Sequence, residues 1–125
     1  MAVDMIDMLR RNAADPGRVW LTGGPLTYAD LLAETGRLAN ALVALGLQRG
    51  DRLLLQVEKC ETVLSLYLAC LRTGVVFLPV NPAYTVAETA HFLTDAAPAL
   101  ALCEAGRVAD LAALGARAMA LGDLV

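Results

Sequence analysis

The chain has 125 residues, room for one domain that buries about two thirds of the surface its unfolded form exposes. Its apolar content of 58% is above the roughly half usual in soluble domains, yet the longest apolar run, 63–80, is broken by Arg72, Gly74 and Pro79, which excludes a membrane-spanning helix. Net charge is −3 and the ten basic residues, Lys59 and otherwise arginines, are scattered, which excludes a basic stripe for nucleic acid.

In chain order, residues 3–13 are expected as an amphipathic helix, with Val3, Ile6, Leu9 and Arg10 spaced for one face and Asp4, Asp7 and Arg11 for the other. Asp15-Pro16-Gly17 ends it. Residues 19–22 read as a short strand around Trp20. Gly23-Gly24-Pro25 then turns the chain so that Leu26 to Tyr28 pairs back as a hairpin arm. Thr27-Tyr28-Ala29-Asp30 has the form of a capping box with Asp in place of Glu. The helix it opens carries a core stripe of Leu31, Leu38, Leu42 and Leu45, with Asp30, Glu34 and Arg37 outside, and Gly46 takes the left-handed position past its end.

A loop over 46–51 delivers a strand at 52–57. Its run Leu53-Leu54-Leu55 does not alternate, which predicts burial on both faces, as in a parallel sheet. Residues 61–73 form a helix apolar nearly all round, and such a helix is expected inside a core, as the layer between its two flanking strands. A buried strand follows at 75–78. Thr85-Val86-Ala87-Glu88 is a second capping box, for a helix running to about Thr94. Residues 100–103 make a further strand, 107–114 are weakly helical, and 118–121 form a last strand. The expected fold class is α/β, a partial doubly wound parallel sheet with flanking helices and right-handed crossovers.

Chemistry is sparse along this frame. A phosphate cradle needs backbone N–H groups at a glycine-rich strand-to-helix turn. The turn after the first parallel strand reads Glu58-Lys59-Cys60-Glu61, with no glycine and two acids, and is expected to be a solvated loop. His91, the one histidine, has Glu88 as its acidic neighbour one turn away and reads as a surface residue. Tyr84 and Thr85, beyond Pro82, stand at a strand end where α/β folds place ligands, although a turn and a helix cap account for them more simply. Cys60, Cys70 and Cys103 lack metal-ligand spacing and are expected as buried reduced thiols. The start, Met1-Ala2-Val3-Asp4, has no basic n-region, so a cytoplasmic protein is expected.

Three segments carry a family resemblance. Leu26-Thr27-Tyr28-Ala29-Asp30-Leu31 resembles the first core motif of adenylate-forming enzymes, L-T/S-Y-x-E-L, with Asp30 at the Glu position. Leu71 to Asn81 resembles the second, L-K/R-A-G-x-x-Y/F-L-P-L-N/D, with Thr73 and Val80 as departures. Gly50-Asp51-Arg52 matches the G-D-R between them. Asn81-Pro82 and the stretch Gln56-Val57-Glu58-Lys59 are most similar to AMP-forming acyl-CoA synthetases of the malonyl-CoA type.

The resemblance implies an N-terminal subdomain, incomplete over 1–125, of a ligase that activates a carboxylic acid with ATP and Mg2+ and passes it to CoA. In the family the phosphate loop, acid pocket and catalytic lysine lie downstream. No residue here is therefore assigned a catalytic, cofactor-binding or metal role, and the segment alone is expected to be inactive, with the rest of the ligase domain packed on it. No nucleic acid or membrane partner is implied. The competing reading is a free-standing, non-catalytic α/β module for self-association or protein interaction; a phosphate-loop segment in frame after Val125 would decide against it.

Overall fold

The computed structural model describes residues 27–124. The expected helix over 3–13 and the hairpin strand at 19–22 with its turn lie outside them. Helix α1 (Tyr28–Ala44) opens on the expected capping box: Thr27 Oγ1 accepts from the Asp30 N–H at 3.1 Å, and the Asp30 carboxylate accepts from the Thr27 N–H at 3.2 Å. Strand β1 (Arg52–Gln56), helix α2 (Glu61–Thr73), strand β2 (Val76–Pro79), helix α3 (Val86–Ala96) and strand β3 (Leu100–Cys103) follow. A 3-10 turn at Ala105–Arg107 leads to α4 (Val108–Ala113), β4 (Ala118–Ala120) and the short α5 (Leu121–Leu124).

The four strands are all parallel, in the order β2-β1-β3-β4. Each central strand alternates between two cores. Leu53, Leu55, Leu100 and Leu102 face one side, where Leu38 and Leu42 of α1 and Leu66, Ala69 and Cys70 of α2 cover them. Leu54, Ala101 and Cys103 face the other, against Val80, Leu111 and the partly buried Tyr84, Leu93 and Val108. The sheet is thus buried on both faces, which is why the leucine run of β1 shows no alternation.

Two junctions fix the frame. Gly74 ends α2 at φ 78°, where the Arg49 side chain lies 2.8 Å from the point a Cβ would occupy, and the Gly50 N–H donates to the Gly74 carbonyl at 2.9 Å. A left-handed backbone and a close neighbour both require glycine there. Arginines then tie the ends of elements together: Arg52 Nη1 donates to the Ala96 carbonyl at 2.8 Å, and Arg117 Nη1 to the Leu45 carbonyl at 2.7 Å. Each places a cation on the last carbonyls of a helix, where the macrodipole favours it.

Three expectations need correction. The strand expected as buried at 75–78 is β2, an edge strand among the described residues, and Val76 is 43% exposed. Helix α2 is not buried all round. It lies against α1 and the sheet, and its outer face leaves Leu64 and Tyr67 exposed. Leu68 is buried, but against Leu31 of α1 rather than between the strands.

Candidate functional site

Strand order decides where a ligand could sit. The chain leaves β1 toward β2 and leaves β3 toward β4, in opposite directions, so the carboxyl ends of β1 and β3 diverge into a crevice. Open parallel sheets place their sites at such a switch point. The loops meeting there are 57–60, 80–85 and 104–107. A cavity of about 360 Å³ opens between them, walled by Gln56, Glu58, Pro82, Glu104, Gly106, Arg107 and Asp110. A larger one of about 710 Å³ adjoins it, lined by residues that include Lys59, Cys60, Cys103, Glu104 and Asp123.

The centre of the first cavity's wall is Gln56, the last residue of β1 and only 1% exposed. Alternation along β1 puts it on the α3 side, where an apolar residue would be the simpler choice. Its Nε2 donates to the Asn81 carbonyl at 3.2 Å and to Thr89 Oγ1 at 2.9 Å. The Thr89 hydroxyl spends its own proton on the Thr85 carbonyl at 2.9 Å, so it can only accept from Gln56. Both partners are acceptors, which fixes the orientation of the amide. Among the described residues Gln56 Oε1 has no hydrogen-bond partner, and the atom is sealed from solvent.

The surrounding charges are held in place by the same loops. Glu104 Oε1 accepts from the Glu58 N–H at 3.1 Å, linking the ends of β1 and β3. Arg107 Nη1 donates to the Tyr84 carbonyl, and so ties the segment after β3 to the loop after β2. The Asn81 carboxamide oxygen accepts from the Ala83 N–H at 2.9 Å and shapes the same loop. Cys103 lies buried behind the site. Its burial pushes the thiol above its ordinary value, Arg107 partly opposes this, and Glu104 adds to it.

The residues singled out in the sequence are placed as follows. Lys59, Glu58 and Glu61 are exposed around the β1–α2 turn, as expected of a solvated loop. His91 is exposed on α3, while Glu88 is engaged in the second capping box, accepting from the Thr85 N–H at 3.1 Å. Tyr84 stacks on Phe92 with ring centroids 5.6 Å apart and takes the Arg107 bond, so it shapes the loop rather than reaching into a site. Cys60 corrects the expectation of buried thiols: it is exposed at the start of α2, while Cys70 and Cys103 are buried. Sequence reasoning missed Gln56, Glu104, Arg107 and Asp110. The available signal was Gln56 itself, a polar residue ending an otherwise leucine-rich strand.

This geometry is that of a known family. Residues 9–122 match the family described as AMP-binding enzyme. The chain belongs to that family. Among its relatives, the acyl-CoA ligase sidI of Aspergillus fumigatus is 38% identical over 72 residues, which cover 58% of this chain and 12% of that protein. ATP-bound MatB from Rhodopseudomonas palustris superposes on 97% of this chain, and 25% of its own, with a TM-score of 0.83 and 40% identity. Apo MatB from the same organism covers 77% of this chain and 20% of its own, with 46% identity and a TM-score of 0.70. The chain spans about an eighth of the first curated relatives and a fifth to a quarter of the MatB structures. Its α/β frame, with four parallel strands between helices, is the N-terminal subdomain of the adenylate-forming ligase fold. Among the described residues no helix is long and apolar enough to cross a membrane.

Proposed function

We propose that the chain is the N-terminal part of a cytoplasmic, AMP-forming acyl-CoA ligase domain. The full ligase activates a small carboxylic acid, malonate or a near relative, to an acyl adenylate and then forms the CoA thioester. The observation that carries this reading is the match over residues 9–122, joined to a fold shared with ATP-bound MatB over 97% of the chain. The malonyl-CoA synthetase resemblance of Gln56-Val57-Glu58-Lys59 and Asn81-Pro82 supports the small diacid, and the MatB likeness fits it.

Among the described residues, those at the switch point do not fit the phosphate and metal groups that such a reaction needs. The β1–α2 turn has no glycine to bring N–H donors onto a phosphate, and Glu58, Glu104 and Asp110 would repel a triphosphate from the switch-point cavity. Within the described residues no cluster of three or more His, Cys, Asp or Glu could hold a metal ion. No step involving ATP, Mg2+ or CoA is therefore assigned to these residues, and no catalytic residue either. Their contribution is a scaffold that sets the loops at the carboxyl edge of the sheet.

The test is the polypeptide read in frame from the source gene through and beyond Val125, assayed with ATP, Mg2+ and CoA. Malonate-dependent release of pyrophosphate, with formation of malonyl-CoA, is the expected result. Thioester formation from medium-chain fatty acids but not malonate would keep the ligase and overturn the acid. Absence of acid-dependent pyrophosphate release across mono- and dicarboxylic acids would overturn the ligase reading itself.

A further inference from the structure

We infer that Gln56 is a positioning residue of the ligase, whose buried amide sets the loop 80–85 at the carboxyl edge of the sheet. The inference deepens the proposed function and rests on it for the reaction concerned. Polar satisfaction does not account for an amide at this place. The Asn81 carbonyl already accepts from the Tyr84 N–H at 3.1 Å, and the Thr89 hydroxyl is engaged on the Thr85 carbonyl at 2.9 Å, so neither partner needs Gln56. Its own Oε1 meanwhile stays unpaired and sealed from solvent among the described residues. An orphaned buried acceptor is costly, and an apolar side chain of the same shape would carry no such penalty. For stability alone, an apolar residue would serve at least as well on a face otherwise filled by Leu54, Ala101 and Cys103.

What the amide supplies is position. Its Nε2 joins three elements at one point: the end of β1, the loop after β2 and the first turn of α3. Other ties hold the same loop. The Val80 N–H donates to the Leu55 carbonyl at 2.7 Å, the Asn81 carboxamide takes the Ala83 N–H, and Arg107 holds the Tyr84 carbonyl. The Gln56 amide is the one among them that fixes the loop against β1 and α3 together. Pro82 of this loop walls the cavity of about 360 Å³ at the switch point, and Asn81 and Pro82 wall a second, of about 420 Å³, that Lys59 and Val63 also line. Open parallel sheets place ligands at this edge, so the setting of the loop enters the geometry in which reactants meet. Rates respond steeply to misplacements of about 1 Å.

The experiment uses the in-frame ligase polypeptide of the assay above. Gln56→Met removes the donor at nearly constant volume, Thr89→Val removes one of its acceptors, and Thr89→Ser keeps the hydroxyl. Gln56→Met is expected to leave the urea midpoint at or above that of the wild type. Amide exchange across 80–85 should quicken in the same variant, and acid-dependent kcat should fall by about ten- to hundredfold. Thr89→Val should lower kcat in the same direction, and Thr89→Ser should not. A midpoint of Gln56→Met well below the wild type would show that the amide serves stability, and would overturn the inference whatever happens to kcat. Unchanged exchange across the loop, or kcat within about twofold of the wild type in both Gln56→Met and Thr89→Val, would overturn it as well and leave the ligase reading standing. A wild-type polypeptide without acid-dependent pyrophosphate release overturns the ligase reading and the role in its reaction together; the exchange measurement then decides by itself whether Gln56 sets the loop.

Discussion

Cys70 packs between α2 and the sheet, and burial pushes its thiol up to about 12 from the ordinary 9.0. The thiolate is the charged form, so its desolvation means that the folded chain keeps a proton that the unfolded chain has already released. The native state then binds more protons between these two values, and stability falls as pH rises through that window; below about pH 9 the contribution is fully present. Urea melts of the wild type and Cys70→Ala from about pH 8 to about pH 11 should diverge, the wild type losing ground above about pH 9. The relative slope is bounded by about 1.4 kcal/mol per pH unit for one proton. Parallel curves would show that the thiol is solvated. The sequence already separates Cys60 from Cys70: Cys60 stands between Lys59 and Glu61, whereas Cys70 lies between Ala69 and Leu71. The structure follows those neighbours, with Cys60 exposed at the start of α2 and Cys70 on its inward face.

Helices were legible as elements because their signals are local. Both capping boxes form as read, and α2 and β3 have the bounds their patterns predict. Burial of an element was less legible, since it depends on which strand lies at the edge and which helix faces another. The residue pattern of α2, with Leu64, Leu66, Tyr67, Leu68 and Leu71, gives no hint that one side is open. In the structure Leu66 meets the sheet, Leu68 meets α1, and Leu64 is 38% exposed. Leu68→Ala should therefore cost about 2–5 kcal/mol, as for a core leucine, while Leu64→Ala should stay within about 1 kcal/mol. Denaturant melts of the two variants measure the difference. Equal costs would mean that the outer face of α2 is covered. The site was hidden for the same reason: Gln56 ends β1 while Glu104 and Arg107 follow β3, and strand order brings these two ends together.

At the scale of the whole chain, the apolar excess noted in the sequence has a visible address. Val76 on β2, the edge strand among the described residues, is 43% exposed; on the other face of the sheet Leu64 and Tyr67 of α2 are exposed, with Tyr67 packed edge-to-face on Phe77 at 5.4 Å. An apolar edge strand offers unpaired backbone groups and side chains to another chain at once. Pro79 removes one donor from β2 but leaves the stretch from Val76 to Leu78 competent to pair. The chain alone is therefore expected to associate, eluting ahead of a 13.2 kDa monomer on size exclusion and binding ANS. Val76→Lys places a charge on the edge without touching either core, and should shift elution toward the monomer while leaving the melt cooperative. A wild-type chain that stays monomeric at high concentration with no dye bound would show that this edge is covered in solution, and would remove the case that a further segment of a ligase packs there.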